Sequence, residues 1–203
     1  NVLLNAKPLE VVERFVNGNP VVVGGSTWKA EDALLKQFLT KNNQIKLILV
    51  PHEVENGSVD RLMQQFGNLA VRYSQAGNVD NSNKQVLVVD CYGVLTSLYQ
   101  YATIAVVGGG FGVGIHNVLE PATFGMPIIF GPNFEKFKEA TDLVEKNCAF
   151  PVNNIEEFNT VMNHLLLNPQ TTQKIAQMSA QYVKDNVGAT NKIIDAVFST
   201  SEC

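Results

Sequence analysis

The chain has 203 residues, 45% of them hydrophobic and 17% charged, and a formal net charge of −4. These values fit one globular domain with its own core and argue against the basic surface that nucleic-acid binding requires. No apolar run reaches the roughly 18 residues that span a bilayer, and no signal-peptide pattern opens the chain, so this piece is expected to be soluble.

Residues 1–19 read as a linker and a first helix. Short β-branched runs follow at 21–23, 45–50, 69–73, 86–90, 103–107 and 128–130, most separated by stretches with helical spacing at 59–66, 95–101, 117–124 and 134–146. In the first unit Leu34, Leu35, Phe38 and Leu39 form the apolar side of a helix, with Glu31, Asp32, Lys36 and Gln37 expected to face water. The polar stretch 78–84 reads as a surface loop. After Pro151 the strand signal fades, and 155–167, 170–186 and 189–198 read as successive helices. The alternation predicts a Rossmann-like, doubly wound parallel α/β sheet with helices on both faces and a helical C-terminal tail over 151–203, all in one domain. Ligands of such sheets sit beyond the C-terminal ends of the strands, near the point where strand order reverses.

The densest chemical signal is Gly108-Gly109-Gly110-Phe111-Gly112-Val113-Gly114, which starts where a buried strand should end. Such backbone lets phosphate or carboxylate oxygens approach closely, although a loop that is only a loop would read the same way. No choice of first residue places glycines at all three positions of G-x-G-x-x-G, and the P-loop lysine is missing, so a nicotinamide or ATP site is disfavoured. His116-Asn117-Val118-Leu119-Glu120-Pro121 follows directly. A carboxylate there suits the vicinal hydroxyls of a ribose, or serves only helix electrostatics. Asn117 would cap the helix or touch a ligand, and His116 would meet an anion or be a structural histidine.

Two more turns belong to the same sheet edge. Gly24-Gly25-Ser26-Thr27-Trp28 ends the first strand, and Ser26 or Thr27 either faces the ligand or caps the helix ahead of Glu31. Pro51-His52-Glu53 ends the second and could bring the His52 imidazole to the same place. Glu135, after the strand at 128–130, is either a ligand residue or a helix N-terminal acid. The three cysteines, Cys91, Cys148 and Cys203, lack the spacing of a metal or redox motif, and no metal is expected.

At this point the residues resemble the C-terminal domain of bacterial Kdo (3-deoxy-D-manno-octulosonic acid) transferases, enzymes of the two-domain GT-B type. The likeness rests on four motifs in order: Gly25-Ser26-Thr27, the Gly-rich turn with His116-Asn117-Val118-Leu119-Glu120-Pro121, Phe124-Gly125-Met126-Pro127, and Phe130-Gly131-Pro132 with Phe137 downstream. The resemblance implies an inverting transfer of Kdo from CMP-Kdo to a lipid A precursor, on the cytoplasmic face of the bacterial inner membrane, with no cofactor and no metal. It also implies that the N-terminal domain, with the acceptor site, the membrane contact and the general base, lies outside this chain, which alone would be inactive.

Carried over by residue, Gly25, Ser26, Gly109 and Gly110 would surround the phosphate, Asn117 would hold phosphate or sugar, Glu120 the ribose, and His116 would orient that set, with Thr27 and His52 also among the donor-binding residues. Relatives commonly read Arg-His-Pro where this chain reads Pro51-His52-Glu53, which leaves the arginine's charge without a replacement unless Lys136 supplies it, and a solvated surface lysine is the more ordinary reading of Lys136. A UDP-sugar GT-B transferase or related nucleotide-sugar enzyme, and a nucleotide-binding module without chemistry, are the alternatives. Ile193, Ile194, Val197 and Phe198 form an apolar stripe near the end that would contact the missing domain or pair two copies as a homodimer.

Overall fold

Among the described residues the six β-branched runs and one further short strand pair into one all-parallel, seven-stranded sheet, whose strands are largely apolar because both of its faces are covered. The structure is a computed structural model, and it describes residues 2–55, 57–81 and 83–186. In chain order the elements are α1 (Val2–Asn5), α2 (Glu10–Val16), β1 (Val21–Thr27), α3 (Lys29–Leu39), β2 (Lys46–Pro51), α4 (Ser58–Phe66), β3 (Ala70–Arg72), α5 (Tyr73–Ala76), β4 (Val86–Val88) and α6 (Leu95–Leu98). After α6, which runs on as a 3-10 turn over Tyr99–Tyr101, come β5 (Ile104–Val107), α7 (Leu119–Thr123), β6 (Ile128–Phe130), α8 (Lys138–Glu145), β7 (Ala149–Pro151), α9 (Ile155–Leu167) and α10 (Pro169–Asn186).

The strand order is β3-β4-β2-β1-β5-β6-β7. From β1 the chain adds β2, then β3 at the sheet edge and β4 between β3 and β2, and returns to lay β5 on the other side of β1. The switch point therefore falls between β1 and β5, where Gly25 stands beside Val107. On one face Val22, Leu47, Leu49 and Val106 pack with Leu35 and Phe38 of α3, Leu62 of α4 and Phe158 of α9. On the other, Val21, Val23, Ile48 and Leu87 pack with Phe15 of α2 and Leu98 of α6. Helices thus cover both faces, as expected.

Three sequence expectations need correction. The edge strand β7 was not predicted: Ala149-Phe150-Pro151 is short, lacks β-branched residues and ends in proline, which an edge position tolerates because no further ladder bond is required of it. The helices at 117–124 and 134–146 are shorter, as α7 and α8, because the turns that precede them are held by other loops. Glu31 and Asp32 do not face water; they are 1% and 0% exposed. Asp32 is compensated by Arg61 of α4, with Nη2 at 2.7 Å from Oδ2, and burial still raises its carboxyl above the usual range, opposed by the Thr27 hydroxyl and Arg61.

The helical reading of the tail holds for α9 and α10. Asn154 caps α9 by accepting from the Glu157 N–H at 2.9 Å. α10 turns back across the sheet edge, where Tyr182 donates to Asp142 of α8 at 2.9 Å and Gly125 lies against Ala176 and Ala180. It therefore braces the α7–α8 side from behind. The predicted helix at 189–198 and its stripe of Ile193, Ile194, Val197 and Phe198 lie outside the described residues. Among the described residues no helix is long and apolar enough to cross a membrane.

Candidate functional site

The turns after β1, β2, β5 and β6 converge over the switch point, and their contacts are mostly backbone. Gly108 N–H donates to Gly25 O at 2.9 Å and His116 N–H to Gly108 O at 3.0 Å, while His52 N–H reaches Thr27 O at 3.0 Å. The Gly-rich loop is pinned from the β6 side as well: Asn133 N–H donates to Gly110 O at 2.9 Å, and its side chain to Gly112 O at 2.7 Å. The glycines serve close packing as much as ligand access. A Cβ on Gly108 would sit 2.0 Å from Ser26 O, and one on Gly110 would sit 2.5 Å from Gly131 N.

At the β1 turn the pairing with β2 slips between Gly25 and Thr27, and Ser26 takes φ 53°. A bulge with a non-glycine residue in the left-handed region re-aims the chain at some energetic cost. Neither Ser26 nor Thr27 caps α3, whose N-cap position is Trp28. Thr27 is buried, its hydroxyl without a well-formed hydrogen bond.

Instead Glu31 organises this corner. Its Oε1 accepts from Gly109 N–H and its Oε2 from Trp28 N–H, both at 3.0 Å. The amide of Gly109, a position expected beside a phosphate, is thus already committed to a buried carboxylate. Burial pushes the Glu31 carboxyl up, and the N–H groups around it, Trp28, Gly109 and Phe111 included, pull it down by less.

On the α7 side, Asn117 Oδ1 accepts from Leu119 N–H at 2.9 Å, while its Nδ2 donates to Glu120 Oε1 at 3.2 Å. Thr96 of α6 donates to Glu120 Oε2 at 3.0 Å. Tyr99 is buried with its hydroxyl against Gly25, and burial, then the charge of Glu120, raises the phenol far above its ordinary value.

Three rings meet on the β1–β2 side. His52 stacks on Trp28 with centroids 4.7 Å apart and on His116 at 4.4 Å, and Trp28 Nε1–H donates to His116 Nε2 at 3.1 Å. Open clefts border the loop. One of about 370 Å³ lies between Trp28, Glu31, Phe111 and Val113, one of about 250 Å³ is bordered by His116, Asn117, Leu119 and Phe137, and one of about 340 Å³ includes Asn133, Glu135 and Lys136. Glu135 precedes α8 by three positions and is not in its first turn.

No protein-family model matches the chain. It is 36% identical over 152 residues to the 3-deoxy-D-manno-octulosonic acid transferase of Aquifex aeolicus, covering 71% of this chain and 41% of that protein. It is 30% identical to the enzyme of the same name from Chlamydia trachomatis, over 80% of this chain and 38% of that one. The chain is a relative of the Kdo transferases. It spans about two fifths of the length of these relatives. Its fold matches the crystal structure of the C-terminal CMP-Kdo binding domain of WaaA from Acinetobacter baumannii, with a TM-score of 0.72 at 22% identity, covering 84% of this chain and 92% of that domain. The seven-stranded sheet is thus of the type found in GT-B glycosyltransferases.

In this Kdo-transferase relative, the motif residues named from the sequence fall into one arc. The turn at Gly25 is joined to Gly108 and Gly108 to His116 by backbone hydrogen bonds, His116 stacks on His52, and Asn117 holds Glu120; the Gly109 amide is given to Glu31 and Thr27 is buried. Sequence reasoning did not select Glu31, Thr96, Tyr99 or Asn133, and named Trp28 only as part of a turn. The place of Glu31 three residues after Trp28, where a carboxylate can accept from the N–H of the helix's N-cap residue, was the one local signal for any of them.

Proposed function

We propose that the chain, as a single domain over 1–203, is the donor-binding half of a transferase that moves Kdo from CMP-Kdo to a lipid A precursor with inversion. The other half would supply the acceptor site, the general base and contact with the inner membrane. The observation that carries this reading is the joining of the His116-Asn117-Glu120 run to the β1 turn at the switch point, with His116 N–H donating to Gly108 O and Gly108 N–H to Gly25 O. A nucleotide placed there would meet the Glu120 carboxylate with its ribose and the Gly-rich floor with its phosphate.

The chemical task of this half is to stabilise the departing CMP phosphate; with the Gly108 and Gly109 N–H groups already given to Gly25 O and Glu31, that task would fall to the imidazoles and to other N–H groups of these turns. No cofactor or metal enters this scheme. Lys136, on the β6–α8 connection, would either supply the charge of the arginine that relatives carry beside His52 or be a solvated surface lysine. Glu120→Ala removes a charge-assisted hydrogen-bond partner and is expected to weaken CMP binding by about 1–3 kcal/mol. Calorimetric titration with CMP, with UMP and NAD as controls, reads this directly. A preference for UMP would favour a UDP-sugar enzyme, and an unchanged CMP affinity in the variant would remove Glu120 from the site.

A further inference from the structure

The three rings beside the Gly-rich loop have a defined arrangement. If Trp28 and His116 lay on opposite faces of His52, two stacking layers of about 3.5–4 Å each would hold them at least roughly 7 Å apart. Their ring nitrogens are 3.1 Å apart, and both rings lie within about 20° of parallel to His52. Trp28 and His116 therefore stand edge to edge on one face of His52, which covers the hydrogen bond between them.

An indole nitrogen only donates, and in a neutral imidazole the nitrogen that accepts is the one without a proton. We infer that Trp28 is a positioning residue that holds His116 neutral as the Nδ1–H tautomer, leaving Nδ1 as its hydrogen-bond donor and closing Nε2 to any ligand. Three features of the surroundings agree with this. Burial disfavours the charged form of His116, and the neighbouring His52 disfavours it further. The ring edge also packs against Gly109, 3.2 Å from where a Cβ would be. The tautomer bears on function only if the donor reading above is right, because only then does His116 meet an anionic ligand.

The chain has three histidines, so long-range nitrogen–proton correlation spectra of the labelled protein can be assigned with His164→Gln and His52→Gln variants. Above the pH at which His116 titrates, its proton is expected on Nδ1, with the Trp28 indole proton shifted downfield. A proton on Nε2 overturns the inference, whatever CMP does.

Trp28→Phe keeps a ring on His52 but removes the donor. In that folded variant His116 is expected to move toward the Nε2–H tautomer, and CMP affinity to fall about three- to ten-fold, the scale of one misdirected hydrogen bond. Trp28→Gln, which restores a donor, is expected to recover part of both. A shifted tautomer with unchanged CMP affinity would overturn the positioning role. A wild-type chain with the expected tautomer that binds no CMP would instead overturn the donor reading and leave the Trp28–His116 arrangement standing.

Discussion

Gly108→Ala is expected to destabilise the chain by about 3 kcal/mol, at the upper end of what overpacking costs, and to abolish measurable CMP binding. The new methyl would stand 2.0 Å from Ser26 O and 2.7 Å from the Thr27 Cα. Those are backbone atoms, so no rotamer change relieves the clash, and the turns after β1 and β5 must part. Gly110→Ala does the same to the turns after β5 and β6, with its Cβ 2.5 Å from Gly131 N, and a similar loss is expected. Gly112→Ala is the control. Its Cβ would lie 3.6 Å from Gly109 O, an ordinary contact, so stability should change by less than about 0.5 kcal/mol. Urea titration of the three variants checks this: equal, small effects in all three would mean that the loop is not held by its neighbours.

Glu31→Ala is expected to cost about 1–3 kcal/mol, because it leaves the buried N–H of Gly109 and the part-buried N–H of Trp28 without their acceptor. The pH dependence of that cost has a definite sign. Burial raises the Glu31 carboxyl above its ordinary value of 4.5, so the folded chain binds this proton more tightly than the unfolded chain. The proton-linked part of the contribution is fully present below the unfolded value and is lost as pH rises through the folded one. The gap between wild type and Glu31→Ala should accordingly be widest at low pH and narrow as pH rises through the window above 4.5. Asp32 is raised too, but it is present in both proteins and its effect cancels to first order. Denaturant midpoints at several pH values read the difference; a gap that widens with rising pH would show a carboxyl held below its ordinary value. Because Glu31 holds the Gly109 amide, a weakened CMP affinity at the high end of this range in Glu31→Ala would report loss of loop order.

The parts of the site that were legible in the sequence are contiguous there. Gly108 to Gly114 and His116 to Glu120 fall within one turn and one helix start, so local chemistry and the end of a β-branched run were enough to place them. The parts that were not legible join positions far apart in the chain. Trp28 meets His116 across 88 positions, Gly109 meets Glu31 across 78, and Thr96 meets Glu120 across 24. Helical periodicity assigned Leu35 and Phe38 to the core correctly, yet put Glu31 and Asp32 in water. A helix wheel describes the face packed on the sheet and says nothing of a first turn buried beneath loops from other strands.

By itself, the sequence determined a parallel α/β sheet with covered faces, a Gly-rich turn at the end of a central strand and the kinship with Kdo transferases, since each is written in runs of adjacent residues. Only the tertiary structure decided that the glycines are needed for backbone to pass backbone, that a buried Glu31 holds the loop, and that Trp28, His52 and His116 share one stack. Those depend on the strand order, which brings β5 back beside β1, and strand order is fixed by packing across the whole sheet rather than by any local stretch of chain.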